Sequence, residues 1–346
     1  MKNTSDTKAP TVTVLMATYN DEPYLAEALA SVLNQSYTDF EIVIVEDGST
    51  DKTRSVLNSI KDKRIVKLYN SENKGLIYSL NLGLGHARGK YIARFDSDDI
   101  MLPGRLKSQV AYLERHPKVD IVSGQTLVMR DYYRTGIFIN PITKHGAEIG
   151  LLAKCTISHN CVTFRRELLE RLGLSYSDEY MYMEDYGLWA NVAGNAKIHI
   201  SPRRFAVYRK YDSSITEVIA ADEEKDSILL QSRRKVLRLL VDKFGIALPD
   251  YLFENYVRAM ALKKDVSHSE LCVAIKSILS QIPKGKKTAI ITLLIYYWGI
   301  WWKVTECTTK GKPYAFLNFG AHIFSLYKRC ERKFYQITKL KISKVI

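Results

Sequence analysis

Cysteine is scarce in this chain and never paired at short spacing. Cys155, Cys161, Cys272, Cys307 and Cys330 are odd in number and form no CxxC, which argues against a zinc site or a disulfide framework. No GxGxxG follows the first apolar run, and no GxxxxGK ending in Ser or Thr occurs, so dinucleotide and P-loop readings lose their main support. LGLGHARG is only superficially Gly-rich, because it lies inside a helical pattern rather than just after a strand. The run AIITLLIYYWGIWW, Ala289 to Trp302, has 14 residues. As a helix it would cover about 21 Å, short of the roughly 30 Å hydrocarbon core of a bilayer. The N-terminal MKNTSDTKAP is polar and lacks the apolar stretch, about 7–15 residues, of a secretory signal. Residues 1–10 therefore read as a disordered N-terminus, and the bulk of the protein is expected in the cytosol.

What is present is core-forming and unevenly charged. A chain of 346 residues, 46% of them apolar, can bury a large core and suggests one large domain or two. The formal charge of +14 is concentrated at one end: residues 284–346 carry 13 Lys or Arg against Glu306 and Glu331. An anionic surface is the expected partner of that end. Nucleic acid is not expected, since zinc-ligand spacing, RNP-like runs and basic heptads are missing there. Trp298, Trp301 and Trp302 crowd one end of the apolar run, with Lys284, Lys286 and Lys287 before it and Lys303 after. Aromatic rings and lysines at the edges of an apolar helix suit a membrane interface, while burial against the main domain is the alternative. Upstream, SILLQSRRKVLRLLVDKF reads as a basic amphipathic helix, and packing on the preceding domain is the favoured account of it.

From Val12 onward, buried strands and amphipathic helices alternate. VTVLMAT, FEIVIVED, RIVKLYN and KYIARF read as strands; residues 22–35, a helix through Ile60 with N-cap oxygens from Ser49 and Thr50, and the stretch around Ile77, Leu80 and Leu84 read as helices. A helix opened by Pro103 and the strand VDIVSG follow. Such alternation indicates an α/β fold with a mainly parallel sheet, whose ligand crevice lies outside the carboxyl ends of the strands. The polar residues at those ends are Thr18, Tyr19 and Asn20, then Glu46 and Asp47, Asn70, and finally Asp96, Asp98 and Asp99. In RFDSDDI, two carboxylates about 5 Å apart repel by roughly 3 kcal/mol at an effective dielectric near 20. A hard divalent cation, Mg²⁺ or Mn²⁺, would compensate; a solvated acidic turn is the alternative, and in either case Asp99 is expected to cap the next helix.

These pieces resemble family 2 glycosyltransferases of the GT-A fold. The matching segments, in family order, are VTVLMATYN, LASVLNQSYTDFEIVIVEDGSTDKT, NKGLIYSLNLGLGHARGKYIARFDSDDIMLPGRLKSQ, HNCVTFRRELL and MEDYGLWAN. The resemblance implies a Rossmann-like GT-A catalytic domain over residues 11–220; beyond it the residue pattern alone gives a helical, basic C-terminal region, 221–346, with a membrane-associating segment at 284–346. It implies donor contacts from Thr18, Tyr19, Asp47, Lys74, Arg94, Asp96 and Ser97, with Asp47 reading uracil and Lys74 and Arg94 offsetting the diphosphate. Asp98 is implied as the ligand of Mn²⁺ or Mg²⁺, and Asp185 as the general base. For Asp47 and Asp185 a helix-capping or dipole role is the alternative, and for Lys74 a solvated position. His159, Glu184, Arg209 and Tyr211 are candidate acceptor or diphosphate contacts; a structural role is favoured for His159. The chain departs from many relatives in YRKYDSSIT, where Tyr211 stands in the slot of a His that helps hold the metal or diphosphate.

The implied activity is inverting transfer of a sugar from a nucleotide-sugar, a UDP-sugar, to a hydroxyl of a saccharide acceptor, lipid-linked in bacterial surface polysaccharide synthesis. The implied place is the inner face of the cell membrane, peripherally bound. The competing reading, opened by Tyr211, is a non-catalytic nucleotide-sugar-binding or scaffold protein.

Overall fold

The computed structural model describes residues 9–130, 132–143, 145–212, 214–263, 266–282 and 297. Most of the expected disordered segment 1–10, and the expected membrane segment 284–346 apart from Tyr297, lie outside the described residues. So do Trp298, Trp301 and Trp302. The chain divides into two compact units, Met1–Gly245 and Ile246–Ile346.

The first unit begins as the apolar patterning predicts. β1 (Val12–Thr18) and β2 (Phe40–Glu46) are buried at every position. β3 (Ile65–Tyr69) and β4 (Tyr91–Arg94) complete a parallel group in the order β3-β2-β1-β4. The intervening helices are α1 (Leu25–Leu33), α2 (Thr53–Ser59) and α3 (Leu76–His86). Leu25, Ala28, Leu29 and Val32 of α1 are buried, the one-sided stripe their spacing requires. Because the chain builds β2 and β3 on one side of β1 and then returns to place β4 on the other, the switch point falls between β1 and β4.

Past β4 the parallel rule gives way. β5 (Ile100–Met101) leads to α4 (Arg105–Arg115), β6 (Ile121–Arg130) and β7 (Tyr133–Phe138). After α5 (Gly146–Gly150), β8 (Thr163–Arg165) inserts antiparallel between β4 and β6, and α6 (Arg166–Leu172) and α7 (Glu184–Val192) follow. β9 (Ile198–Arg209) pairs parallel with β6 and antiparallel with β5. The sheet is thus mixed and mostly parallel, flanked by helices. α8 (Ile215–Ala220) and α9 (Glu223–Lys243) close the unit, with Val236, Leu237, Leu240 and Val241 of α9 buried. Lys235 and Lys243 of α9 donate to Glu179 O and Asn191 O, so this basic helix spends part of its charge on the first unit's own carbonyls. That unit, α9 included, runs to Gly245. In the second unit, α10 (Asp250–Met260) is tied to the start of α11 (His268–Gln281) by Asn255, which exchanges two 2.8 Å hydrogen bonds with the Ser267 backbone.

Two capping expectations are corrected. Ser49 accepts from Asn20 N and Thr50 N donates to Asn20 Oδ1, so both stitch β1's exit loop to β2's; α2 starts later, at Thr53, whose N–H is taken by Asp51 Oδ1. Asp99 caps no helix. It is fully buried and accepts from Asn160 Nδ2 at 2.6 Å and from Arg209 N at 2.9 Å, joining β4's exit to β9. The helix after it, α4, starts from Gly104, in left-handed backbone.

A second buried cation, unremarked in the sequence, holds the junction of these strands. Arg105 donates to Asn160 O, Arg94 O and Val162 O at 2.5, 2.7 and 3.1 Å, and its Nε reaches Gln109 Oε1. Gln109 in turn donates to Val122 O and Cys161 O and accepts from Thr163. Burial without a carboxylate partner pulls the guanidinium down to about 10, still charged at neutral pH. Arg105→Leu removes the side-chain donor from Asn160 O and Arg94 O, while Val162 O keeps the Arg94 N–H, and a loss of about 3 kcal/mol in urea unfolding is expected; a change under about 1 kcal/mol would show that these bonds are redundant.

Candidate active site

The polar ends of β1, β2, β3 and β4 meet, held together by backbone bonds from Asp47 N to Thr18 O, Asn70 N to Glu46 O and Phe95 N to Leu15 O. At the switch point itself stands Asp21, which the sequence reading passed over. Its Oδ2 takes bonds from Thr18 Oγ1 at 2.9 Å and Ser97 Oγ at 2.5 Å, and its N–H donates to Thr53. Burial pushes its carboxyl up from the ordinary range, against those hydrogen bonds. Thr18 and Ser97 are both buried, so their hydroxyls serve this framework, whereas Tyr19 is 41% exposed at the crevice rim.

Asp47, 3% exposed, is held by donors on both oxygens: Asn70 Nδ2 at 2.7 Å and Lys74 N at 2.9 Å on Oδ1, and Gly75 N at 2.9 Å on Oδ2. It anchors the loop before α3. Gly48, next to it, has φ +69°, and a Cβ there would come within 2.3 Å of Glu72 C, so only glycine allows the two loops to touch. The Lys74 ammonium pairs with Glu72 at the surface. Glu46 is structural, accepting from Arg54 Nε and Ser49 N.

The acidic turn divides by environment. Asp96, 31% exposed, pairs with Arg94 at 2.6 Å, and the Arg94 guanidinium is 1% exposed. Arg94 Nε and Nη1 have no hydrogen-bond partner among the described residues. A buried guanidinium with two unmade donors is costly, and the Asp96 pair offsets part of that cost. Asp98 is half-buried and is pushed up to about 7 by burial, with the charges of Asp96 and Asp21 adding to it. Its Oδ2 accepts from Tyr211 Oη at 2.8 Å, and the Tyr211 ring packs 4.7 Å from that of Tyr24. Burial and the Asp98 charge raise Tyr211, which therefore stays a phenol and steadies Asp98. Arg209, with its guanidinium on Glu27 and over the Tyr24 ring, is engaged beside them.

Among the described residues no group of three or more acids, histidines or cysteines is arranged to hold a metal ion by itself. The residues fit a different kind of site. Asp98 is a hard oxygen donor in surroundings with surplus negative charge, and Mg²⁺-like ions commonly take one or two carboxylates and complete their shell from phosphates and water. The fit is to a cation shared with a substrate.

The acids of α7 reach the same place. Glu184 and Asp185, in its first turn, are half-buried and lie within the electrostatic reach of Arg94 and Asp96. Burial first, and Asp185 next, push Glu184 up to about 7; burial also raises Asp185. Asp185 Oδ1 accepts from Tyr186 N and Oδ2 from the Cys155 thiol at 3.6 Å. His159 Nε2 meets Tyr176 Oη at 2.8 Å, and its ring stands edge-on to Trp189. Burial, then Arg94, drives His159 well below its usual value, so it is neutral. Tyr176, clamped through its backbone by Asn81, feels Arg94, Glu184 and Asp185. Arg94, Asp96, Asp98, His159, Glu184, Asp185 and Tyr211 are thus gathered at one crevice, with Cys155 and Tyr176 as additions that only a folded chain reveals. Lys74 stands apart, at the surface near Asp47.

A mixed sheet with an acidic crevice at its switch point defines a GT-A transferase fold. The description "Glycosyl transferase family 2" matches residues 13–173. A protein of Haemophilus influenzae named an uncharacterized glycosyltransferase is 29% identical over 299 residues, covering 83% of this chain and 90% of that one. WfaP of Escherichia coli, a UDP-Glc:alpha-D-GlcNAc-diphosphoundecaprenol beta-1,3-glucosyltransferase, is 33% identical, covering 52% of this chain and 69% of its own. Among solved structures, S. aureus TarS 1–349 in complex with UDP-GlcNAc superposes with a TM-score of 0.59 at 16% identity, covering 87% of this chain and 93% of TarS, a likeness of fold. PcManGT of Pyrobaculum calidifontis, in complex with GDP-Man and Mn²⁺, gives 0.52 at 22% identity, covering 86% and 88%. The chain belongs to glycosyl transferase family 2 and is a glycosyltransferase.

The surplus of acid predicts a cost that pH will expose. Glu184 starts near 4.5 in the unfolded chain and lies at about 7 in the folded one, so folding takes up a proton between those values. Its contribution to stability therefore falls as pH rises from about 4.5 to about 7 and is flat above. Glu184→Gln, neutral throughout, is expected to raise Tm by a few degrees at pH 8 and much less at pH 5, in melts without donor or metal; equal shifts at both pH values would contradict this.

Proposed function

We propose that this enzyme is a metal-dependent, inverting transferase that moves a sugar from a nucleotide-sugar, a UDP-sugar, to a hydroxyl of a lipid-linked saccharide in bacterial surface polysaccharide assembly. The observation that carries the reading is the gathering of acids at the switch point: Asp98, held by Tyr211, stands beside the Arg94–Asp96 pair, and Glu184 and Asp185 of α7 lie within the electrostatic reach of that pair. The names of WfaP and of a second E. coli relative, WfgD, both describe glucosyl transfer from UDP-Glc to a diphosphoundecaprenol-linked GlcNAc, which supports a UDP-sugar donor and a lipid-linked acceptor.

In this reading Tyr19 and Asp47 frame the base. Asp47 Oδ2, with one loop N–H already bound, retains a lone pair for the uracil imide. Thr18 and Ser97 keep the floor of the crevice rigid through Asp21. Asp98, steadied by Tyr211, would hold Mn²⁺ or Mg²⁺, and the chemistry that ion supplies is Lewis-acid stabilisation of the departing nucleoside diphosphate. Arg94 binds polar groups of the donor between the two acid pairs, and Lys74 can swing from Glu72 to an added phosphate charge. Asp185 takes the proton of the acceptor hydroxyl, for which its raised affinity for protons suits it. Attack from the Asp185 side, opposite the departing diphosphate, inverts the anomeric centre. Glu184 and His159 line the acceptor approach. The cationic segment 284–346 would hold the enzyme at an anionic membrane; among the described residues no helix is long and apolar enough to cross one.

Asp185→Asn is expected to keep UDP and Mn²⁺ binding in calorimetry while UDP release from a UDP-sugar falls by about 10²–10⁴-fold. Unchanged turnover would remove Asp185 from the mechanism.

A further inference from the structure

We propose that Cys155 is a positioning residue for transfer: its thiol donates to Asp185 Oδ2 and fixes the orientation of the carboxylate that takes the acceptor's proton. The inference rests on the reading of Asp185 as base.

The geometry suits the ionised acid. The Sγ lies 3.6 Å from Asp185 Oδ2 and 3.4 Å from Ile157 O; the carbonyl always accepts, and Asp185 Oδ2 can only accept once the carboxyl has lost its proton. One thiol proton shared between two acceptors then favours the charged one. The other oxygen of Asp185 is fixed by Tyr186 N–H at 2.5 Å, so both oxygens are constrained from different directions. The segment carrying Cys155 is itself fastened to the helix carrying Asp185. Tyr186 Oη donates to Leu151 O, and Thr156 Oγ1 donates to Ala147 O at 2.5 Å. A thiol at the end of a slack loop could not hold a rotamer; this one is backed on both sides.

Cys155 is half-buried and unbridged, yet it is not set up as a nucleophile. Burial, and then the neighbouring Asp185 charge, raise it well above the usual thiol range, so it stays a donor at neutral pH. The groups facing Asp185 are Glu184 on its own helix, Asp96 and Arg94 from β4 and its exit, Tyr176, and Cys155. Among them Asp96 raises its affinity for a proton, while Arg94 and the thiol bond lower it. Loss of the thiol should therefore move the acidic limb of the rate profile upward, since a hydrogen bond to the charged form has been removed.

The test is steady-state UDP release from a panel of UDP-sugars with Mn²⁺, across pH 5.5–9, in Cys155→Ala, Cys155→Ser and Asp185→Asn. Cys155→Ala is expected to lower kcat about ten-fold with donor KM within about two-fold, and to shift the acidic limb of kcat up by about half a unit or more. Cys155→Ser, which restores an O–H donor, is expected to recover most of kcat and to return the limb. Wild-type kcat and limb in Cys155→Ala overturn the inference. Equal losses in the Ala and Ser variants with an unmoved limb, or an alanine variant too unstable to assay beside a serine variant with an altered kcat and a native limb, also overturn it. If Asp185→Asn itself turns over normally, it is the base assignment that has failed, and this inference falls with it.

Discussion

The Arg94 guanidinium is the interaction on which the crevice depends. Asp21, Asp96, Asp98, Asp99, Glu184 and Asp185 are brought close by a fold whose strand ends and helix α7 leave them little water. Arg94 neutralises Asp96 directly and reaches Glu184 and Asp185 through space. Arg105, just behind it, spends its donors on backbone carbonyls, including that of Arg94 itself. What remains is a pocket with more negative charge than its own cations balance, and a guanidinium with donors to spare. On the proposed reading, a cation travelling with the substrate offsets the surplus negative charge.

That imbalance also explains why the acids differ in role although they share a neighbourhood. Asp99 is sealed and satisfied by Asn160 and Arg209, so it joins strands. Asp21 is sealed and takes hydroxyls, so it sets the floor. Asp98 and Asp185 are half-open, as are Asp96 and Glu184, and each has one oxygen held by a neutral side-chain donor: a phenol for Asp98 and a thiol for Asp185. Neutral donors of this kind orient a carboxylate without cancelling its charge, which suits the metal-ligand and base roles proposed for the two.

The parallel half of the sheet was legible because β1 and β2 are buried on both faces and written as unbroken apolar runs. The acidic turn and the α7 acids were legible as motifs, and their meeting follows from the fold. Asp21 was not, since YNDEP looks like an ordinary helix-leading turn until Thr18 and Ser97 are seen to converge on it. Nor were Cys155, Tyr176 and Arg105, whose partners lie 30, 17 and 55 residues away in Asp185, His159 and Asn160. Ser49 and Thr50 misled for the same reason. Local spacing marks both as helix caps, whereas the facing loop at Asn20 claims them first.

On the proposed reading, Asp98 and the substrate diphosphate together make the metal site. Mn²⁺ binding followed by electron paramagnetic resonance, with and without UDP, tests it without requiring the acceptor. The account predicts weak Mn²⁺ binding to the protein alone, a rise of at least about ten-fold in affinity with UDP present, and loss of that rise in Asp98→Asn. Tight Mn²⁺ binding that is indifferent to both UDP and Asp98 would contradict it.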